Sequence, residues 1–138
     1  MDKKIKERFG ILIRPTGRFE LVQLGTEGEE VSLLDALELY FNGDIEYARN
    51  AEGLAYITRD GAFDDGYTRN DAASYFAGIG RYGDCIVLPK RHKHERVTWS
   101  RVEAYKIMIR MECDWRWYVD WSANPEKYQK KLAKAIKA

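Results

Sequence analysis

A three-residue connection near the N-terminus constrains this chain more than any other feature. In "FGILIRPTGRFELVQLG" two apolar runs, Phe9–Arg14 and Arg18–Leu24, flank Pro15-Thr16-Gly17. A loop that short, built from turn residues, joins antiparallel neighbours, because a parallel crossover needs about a dozen residues or more. The first element is therefore a hairpin. "DIEYARNAEGLAYITRD" predicts a second, with strands Ile45–Arg49 and Leu54–Arg59 around the turn Asn50-Ala51-Glu52-Gly53. A helix fits between them. Ser32 is an N-cap with Asp35 three residues on, Leu33, Leu34, Leu37 and Phe41 recur at helical spacing, and Asn42-Gly43 ends the run.

The loop "DGAFDDGYTR" leads to Asn70, a cap for the short helix "DAASYFA". Next comes "GIGRYG", Gly78 to Gly83, which matches the letters of a dinucleotide-binding loop, G-x-G-x-x-G. That motif requires strand, glycines, helix, so that pyrophosphate meets a helix N-terminus. Here the order is reversed, and a phosphate would meet the negative end of a helix. Gly78 is thus predicted to end the helix, with Gly80 and Gly83 shaping the turn into a buried strand, "DCIVLP". Pro89 and the basic stretch Lys90–Arg96 close that strand.

From Ile107 to Trp121 every odd position is apolar, and five of the seven even positions are charged. At 100° per residue those apolar side chains scatter around the whole wheel, so period two predicts a long strand or two joined ones. Thr98–Lys106 before it fits a helical turn or a further strand. In the tail, Asn124 caps, Pro125 takes the first helical position, and Tyr128, Leu132 and Ile136 line one face. Lysines occupy the rest. The sum is an α+β fold: a small mixed or antiparallel sheet, two short helices and a C-terminal amphipathic helix, in a single domain over residues 1–138.

Net charge is +1, but it is unevenly spread. Residues 44–71 hold seven acids against three arginines. Residues 81–110 hold eight basic residues against three acids, and the tail from Trp121 has five lysines against Glu126. No apolar run behind the basic start "MDKKIKERFG" marks a leader, and none approaches a membrane span, so a cytoplasmic protein without a membrane partner is expected. Cys85 and Cys113 share no metal or redox motif and read as buried free thiols.

Several constellations in the sequence bear on chemistry. The acidic loop lacks the alternating spacing and closing Glu of a calcium site, so its aspartates read as turn formers. His92 and His94 stand two apart with no obvious third zinc ligand. They belong instead to a basic surface patch with Arg81, Lys90, Arg91, Lys93 and Arg96, suited to phosphate or an acidic protein. Ser74, His92 and Asp84 carry no catalytic meaning without geometry, and no nucleophile elbow, P-loop or zinc-hydrolase helix occurs. Neither catalysis nor a metal or cofactor is expected. "CDWRWYVDW" either fills the core with Trp115, Trp117 and Trp121 or turns part of an aromatic row toward a partner. Arg116 and Tyr118 would then lie on the opposite face of the strand. The candidate partner-binding residues are Trp115, Arg116, Trp117, Tyr118, Trp121, Arg91, His92 and Lys93.

"FNGDIEYARNAEGLAYI", "RNDAASYFAG" and "GDCIVL" together resemble a family of small domains of unknown function common in bacteriophages and bacterial mobile elements. The matching positions are Gly43, Ile45 and Glu46, then Asn50, Glu52 and Gly53, then Asn70, Ala73 and Ser74, then Gly83, Asp84 and Ile86. The resemblance covers residues 9–90. The chain departs from it by the insert "TRDGAFDDGYT" and by all of residues 91–138. What it implies is a non-enzymatic accessory protein that binds and inhibits or modulates a host protein, such as a defence factor. Nucleic-acid binding through 81–110 and the lysine tail is the first alternative. Capture of a nucleotide signal between protomers, with Trp117 or Tyr118 stacking, is the second, and it brings in a homo-oligomer.

Overall fold

The computed structural model describes residues 7–26, 32–49, 53–89 and 98–137. The turn residues Asn50, Ala51 and Glu52 and the basic stretch Lys90–Arg96 lie outside them. Five strands and four helices follow in order: β1 (Glu7–Ile13), β2 (Phe19–Thr26), α1 (Leu33–Phe41), β3 (Ile45–Arg49), β4 (Leu54–Arg59), α2 (Asp71–Ala77), β5 (Cys85–Pro89), α3 (Arg101–Ala123) and α4 (Pro125–Lys137). The chain divides into two compact units, Met1–Met108 and Ile109–Ala138.

In the first unit the five strands form one antiparallel sheet in the order β2-β1-β5-β4-β3. The two hairpins form the outer pairs, and β5 slots between them, with Leu12↔Ile86 on one side and Ile57↔Ile86 on the other. Alternation along each strand divides the core in two. One face carries Leu12, Leu24, Ile57, Ile86 and Leu88, which pack with Leu37 and Phe41 of α1. The other carries Ile11, Ile13, Tyr56, Cys85 and Val87, all fully buried. Phe19, paired with Ile13, meets Phe76 of α2 edge-on at 6.3 Å, which sets α2 over this second face. Gly10 is needed in mid-strand: a Cβ there would stand 2.9 Å from Leu88 Cδ2.

The helix ends follow local chemistry. Ser32 accepts from the Asp35 N–H to start α1, and Asn42, at φ 53°, ends it in the left-handed conformation. Asn70 accepts from the Ala73 N–H to start α2, and Gly78, at φ 72°, ends it. "GIGRYG" is therefore a helix stop and a turn. The α+β fold is as expected.

The long strand expected over Ile107–Trp121 is instead the helix α3. A capping box begins it: the Glu103 N–H donates to Ser100 Oγ at 3.2 Å, and the Ser100 N–H donates to Glu103 Oε1 at 3.1 Å. Ala104, Met108 and Met111 are buried and Trp115 and Tyr118 half-buried, a stripe spaced 4-3-4-3 that the even-odd alternation hides. The strand reading demanded a dry face for every apolar residue. The helix leaves Ile109, Trp117, Val119 and Trp121 in solvent instead. At its end the Asn124 N–H and Nδ2 both donate to the Asp120 carbonyl, tying off α3 just before Pro125 opens α4.

Candidate functional site

Where β1 and β4 end and β5 begins, the sheet carries three charged side chains on the α1 face. Arg14 and Asp84 extend the Leu12↔Ile86 pairing by two residues, and their ion pair spans 3.1 Å. Arg59 stands two residues past Ile57, whose pairing with Ile86 is the last between β4 and β5. The two chains part there. Between them lies a cleft of about 650 Å³, lined by Pro15, Tyr40, Phe41, Arg59, Tyr67, Tyr82 and Asp84 among others.

Each wall of the cleft is held from behind. Asp84 Oδ2 accepts from Arg14 Nη1 and from the Tyr40 hydroxyl, both at 3.1 Å. Partial burial and the Asp84 charge push the Tyr40 phenol up to about 12, so it stays a donor at neutral pH. The Asp84 carboxylate also raises Arg14 above its ordinary value. Across the cleft, Arg59 Nη1 donates to the Tyr67 hydroxyl at 2.8 Å and to Asp65 Oδ2 at 3.1 Å. Its guanidinium stands 5.6 Å from the Tyr67 ring centroid, a cation–π contact. Tyr67 packs against Gly83, where a Cβ would come within 2.7 Å of its ring.

The loop that presents Tyr82 and Asp84 is fixed by a buried polar network on the α2 side. Arg81 is 4% exposed, so its place in a surface basic patch is corrected. Its Nη2 donates to Thr58 Oγ1 at 2.8 Å, the Tyr56 carbonyl at 2.9 Å and the Glu46 carbonyl at 3.0 Å. The Glu46 and Tyr56 carbonyls and the Thr58 hydroxyl thus share one buried guanidinium as their donor. Asn70, fully buried, donates through Nδ2 to the Ile13 and Gly83 carbonyls. Ser74 Oγ donates to the Asn70 carbonyl and accepts from the Arg81 N–H. Ser74 thus holds the turn between α2 and β5. Burial pushes the Cys85 thiol up to about 12 despite the nearby Arg81 charge, so it is protonated and inert at neutral pH. In sequence, Arg81 looked like one more cation; its one distinguishing mark is its place between the helix-ending glycine and the buried strand.

The second unit presents a different surface. Along α3, Ile109, Cys113, Trp117 and Trp121 recur every four residues and are all exposed, Trp117 at 51% and Trp121 at 40%. Trp117 and Trp121 stack at 6.3 Å with 15° between ring planes, and Tyr118 and Trp115 stack at 5.8 Å. Cys113, expected to be buried, is therefore exposed. Arg116 points to solvent and pairs with Glu112 one turn back. So Trp117 and Trp121 share the exposed side with Arg116, while Trp115 and Tyr118 sit on the half-buried stripe; the expected division of odd from even residues fails with the strand. Arg91, His92, Lys93 and His94 lie outside the described residues. On α4, Leu132 and Ile136 are exposed, and the Tyr128 side chain is not among those described.

The fold has a counterpart among solved structures. The small RNA methyltransferase HEN1 contains a region similar to this chain, with a TM-score of 0.55 at 16% identity over 80% of the chain. The chain spans 16% of that protein, so the likeness is one of fold. No family model matches the sequence, and no curated protein does. Among the described residues no helix is long and apolar enough to cross a membrane, and no group of three His, Cys, Asp or Glu side chains could hold a metal ion.

Proposed function

We propose that this chain is a non-enzymatic accessory protein of a bacteriophage or mobile element, and that it binds and inhibits or modulates a host protein through the exposed aromatic row of α3. One observation carries the reading: Ile109, Cys113, Trp117 and Trp121 stand in solvent one helical turn apart, with the two indoles stacked. Leaving two tryptophans in water forfeits burial that a core would use, whereas such side chains dominate the energetics of protein interfaces. Arg116 and Glu112 beside them supply the polar rim. The inert Cys85 thiol and the engaged Ser74 hydroxyl agree with binding rather than covalent catalysis.

The test is a titration. A host protein retained by the immobilised wild type is identified, purified and measured against wild type and the Trp117→Ala/Trp121→Ala double variant. Loss of two anchor residues should weaken it by about 100-fold or more, with the far-UV circular dichroism unchanged. Equal binding by the double variant, or no saturable partner, overturns the reading. Nucleic-acid binding by the lysine face of α4, where Lys130 and Lys134 are exposed, is the second reading. It predicts an affinity for single- or double-stranded DNA that falls steeply with salt and survives the double substitution.

A further inference from the structure

The cleft of the first unit has two charged walls of opposite sign that do not pair with each other. Asp84 uses Oδ2 for both Arg14 and Tyr40, and its Oδ1 makes no hydrogen bond among the described residues. Arg59 uses Nη1 for both Asp65 and Tyr67, and its Nη2 and Nε are likewise uncommitted. Each charge is braced by third parties, and both residues line the space between β4 and β5. A ligand with a single charge would meet one attraction and one repulsion there. A ligand with both charges meets two attractions. The rest of the lining is aromatic: Tyr40, Phe41, Tyr67 and Tyr82. Tyr82 is itself supported by Phe63 at 4.9 Å.

We propose that this cleft binds a small zwitterion with a flat apolar body, of the aromatic α-amino acid class. Its carboxylate lies on the free edge of the Arg59 guanidinium, its ammonium on Asp84 Oδ1, and its ring against the tyrosines. A guanidinium edge presents two parallel N–H groups to a carboxylate. An ammonium gains from the open carboxylate oxygen and from the electron-rich ring faces together. The Tyr40 hydroxyl, held as a neutral donor, keeps Asp84 in place. At about 650 Å³ the cleft lies within the size range of small-molecule sites. Arg81 and Asn70 give it a rigid floor, since both fasten the loop bearing Tyr82 and Asp84 to the sheet.

Isothermal titration of the full chain with three probes tests this: L-phenylalanine, phenethylamine, which lacks the carboxylate, and 3-phenylpropionate, which lacks the ammonium. The amino acid should bind at least about tenfold more tightly than either half-ligand. Arg59→Gln should abolish its advantage over phenethylamine, and Asp84→Asn its advantage over 3-phenylpropionate. If Asp84→Asn fails to fold, the three-probe comparison on the wild type and on Arg59→Gln still decides. No heat from L-phenylalanine at millimolar concentration overturns the proposal. So does equal binding of all three probes, or a preference for adenosine 5′-monophosphate, which offers a planar ring and an anion without an ammonium.

Discussion

Replacing Arg81 with methionine removes the guanidinium and keeps most of the apolar stem, so the loss is electrostatic rather than a cavity. The Nη2 amine has two protons and serves three acceptors, the Tyr56 and Glu46 carbonyls and Thr58 Oγ1. That amounts to two full charge-assisted bonds shared three ways, at about 1.5–3 kcal/mol each. The ion pair to Glu46 adds little, because that carboxylate is half in solvent at 52% exposure. The expected destabilisation is therefore about 3–6 kcal/mol, a large share of the ~5–15 kcal/mol typical of a domain. In urea, followed by far-UV circular dichroism, this moves the midpoint down by about 1.5–4 M for a slope near 1.5–2 kcal/mol/M. Glu46→Gln, which keeps the Glu46 carbonyl and loses only the exposed ion pair, should cost under about 1 kcal/mol. An Arg81→Met midpoint no lower than that of Glu46→Gln would refute the view that buried carbonyls, not the salt bridge, hold this side chain.

Asn70→Ala should cost about 2–3 kcal/mol by the same urea assay, since it strips a helix cap and leaves the Ile13 and Gly83 carbonyls without their donor. Gly83→Ala and Gly66→Ala share a positive φ, 75° and 78°, but only the first drives a Cβ to 2.7 Å from Tyr67. Both lose about 1–2 kcal/mol to backbone strain, and thermal melts should show Gly83→Ala clearly the worse. Tyr40 is raised from 10.0 to about 12 in the folded state. Its contribution is thus complete below pH 10 and disappears as pH rises toward 12, because the unfolded chain releases the proton first. Tyr40→Phe should therefore lose less stability than wild type between pH 10 and pH 12, measured as urea midpoints at each pH.

Much of the first unit was legible because its signals are local. Turn chemistry at Pro15-Thr16-Gly17, caps at Ser32 and Asn70, and stops at Asn42 and Gly78 each act over three or four residues, and the structure uses every one. The order of strands was not legible, since nothing in "DCIVLP" says which two strands it will pair with. Arg81 was misread because a buried cation differs from an exposed one only in what surrounds it. The misreading of α3 has a different cause. Both periods were present over Ile107–Trp121, and the alternation outweighed the 4-3-4-3 stripe once surplus apolar residues were assumed to be dry. The reciprocal Ser100–Glu103 box, spelled "SRVE", was the local signal that could have decided it. The cleft was invisible for a related reason: Arg14, Tyr40, Arg59 and Asp84 are up to 70 residues apart in the chain.

The position of β5 between the hairpins also bears on how the sheet is made. As the chain leaves the ribosome, β1–β2 and β3–β4 can each close long before Cys85 emerges, but neither can join the other. Until then the inner edges of β1 and β4 present unpaired backbone groups beside Ile11, Leu12, Tyr56 and Ile57, side chains that end fully or nearly fully buried. Open edges of that kind recruit strands from other chains. The vulnerable interval in this protein's synthesis thus ends with five residues, Cys85–Pro89, and a nascent chain stalled before them is a pair of adhesive hairpins awaiting a common partner.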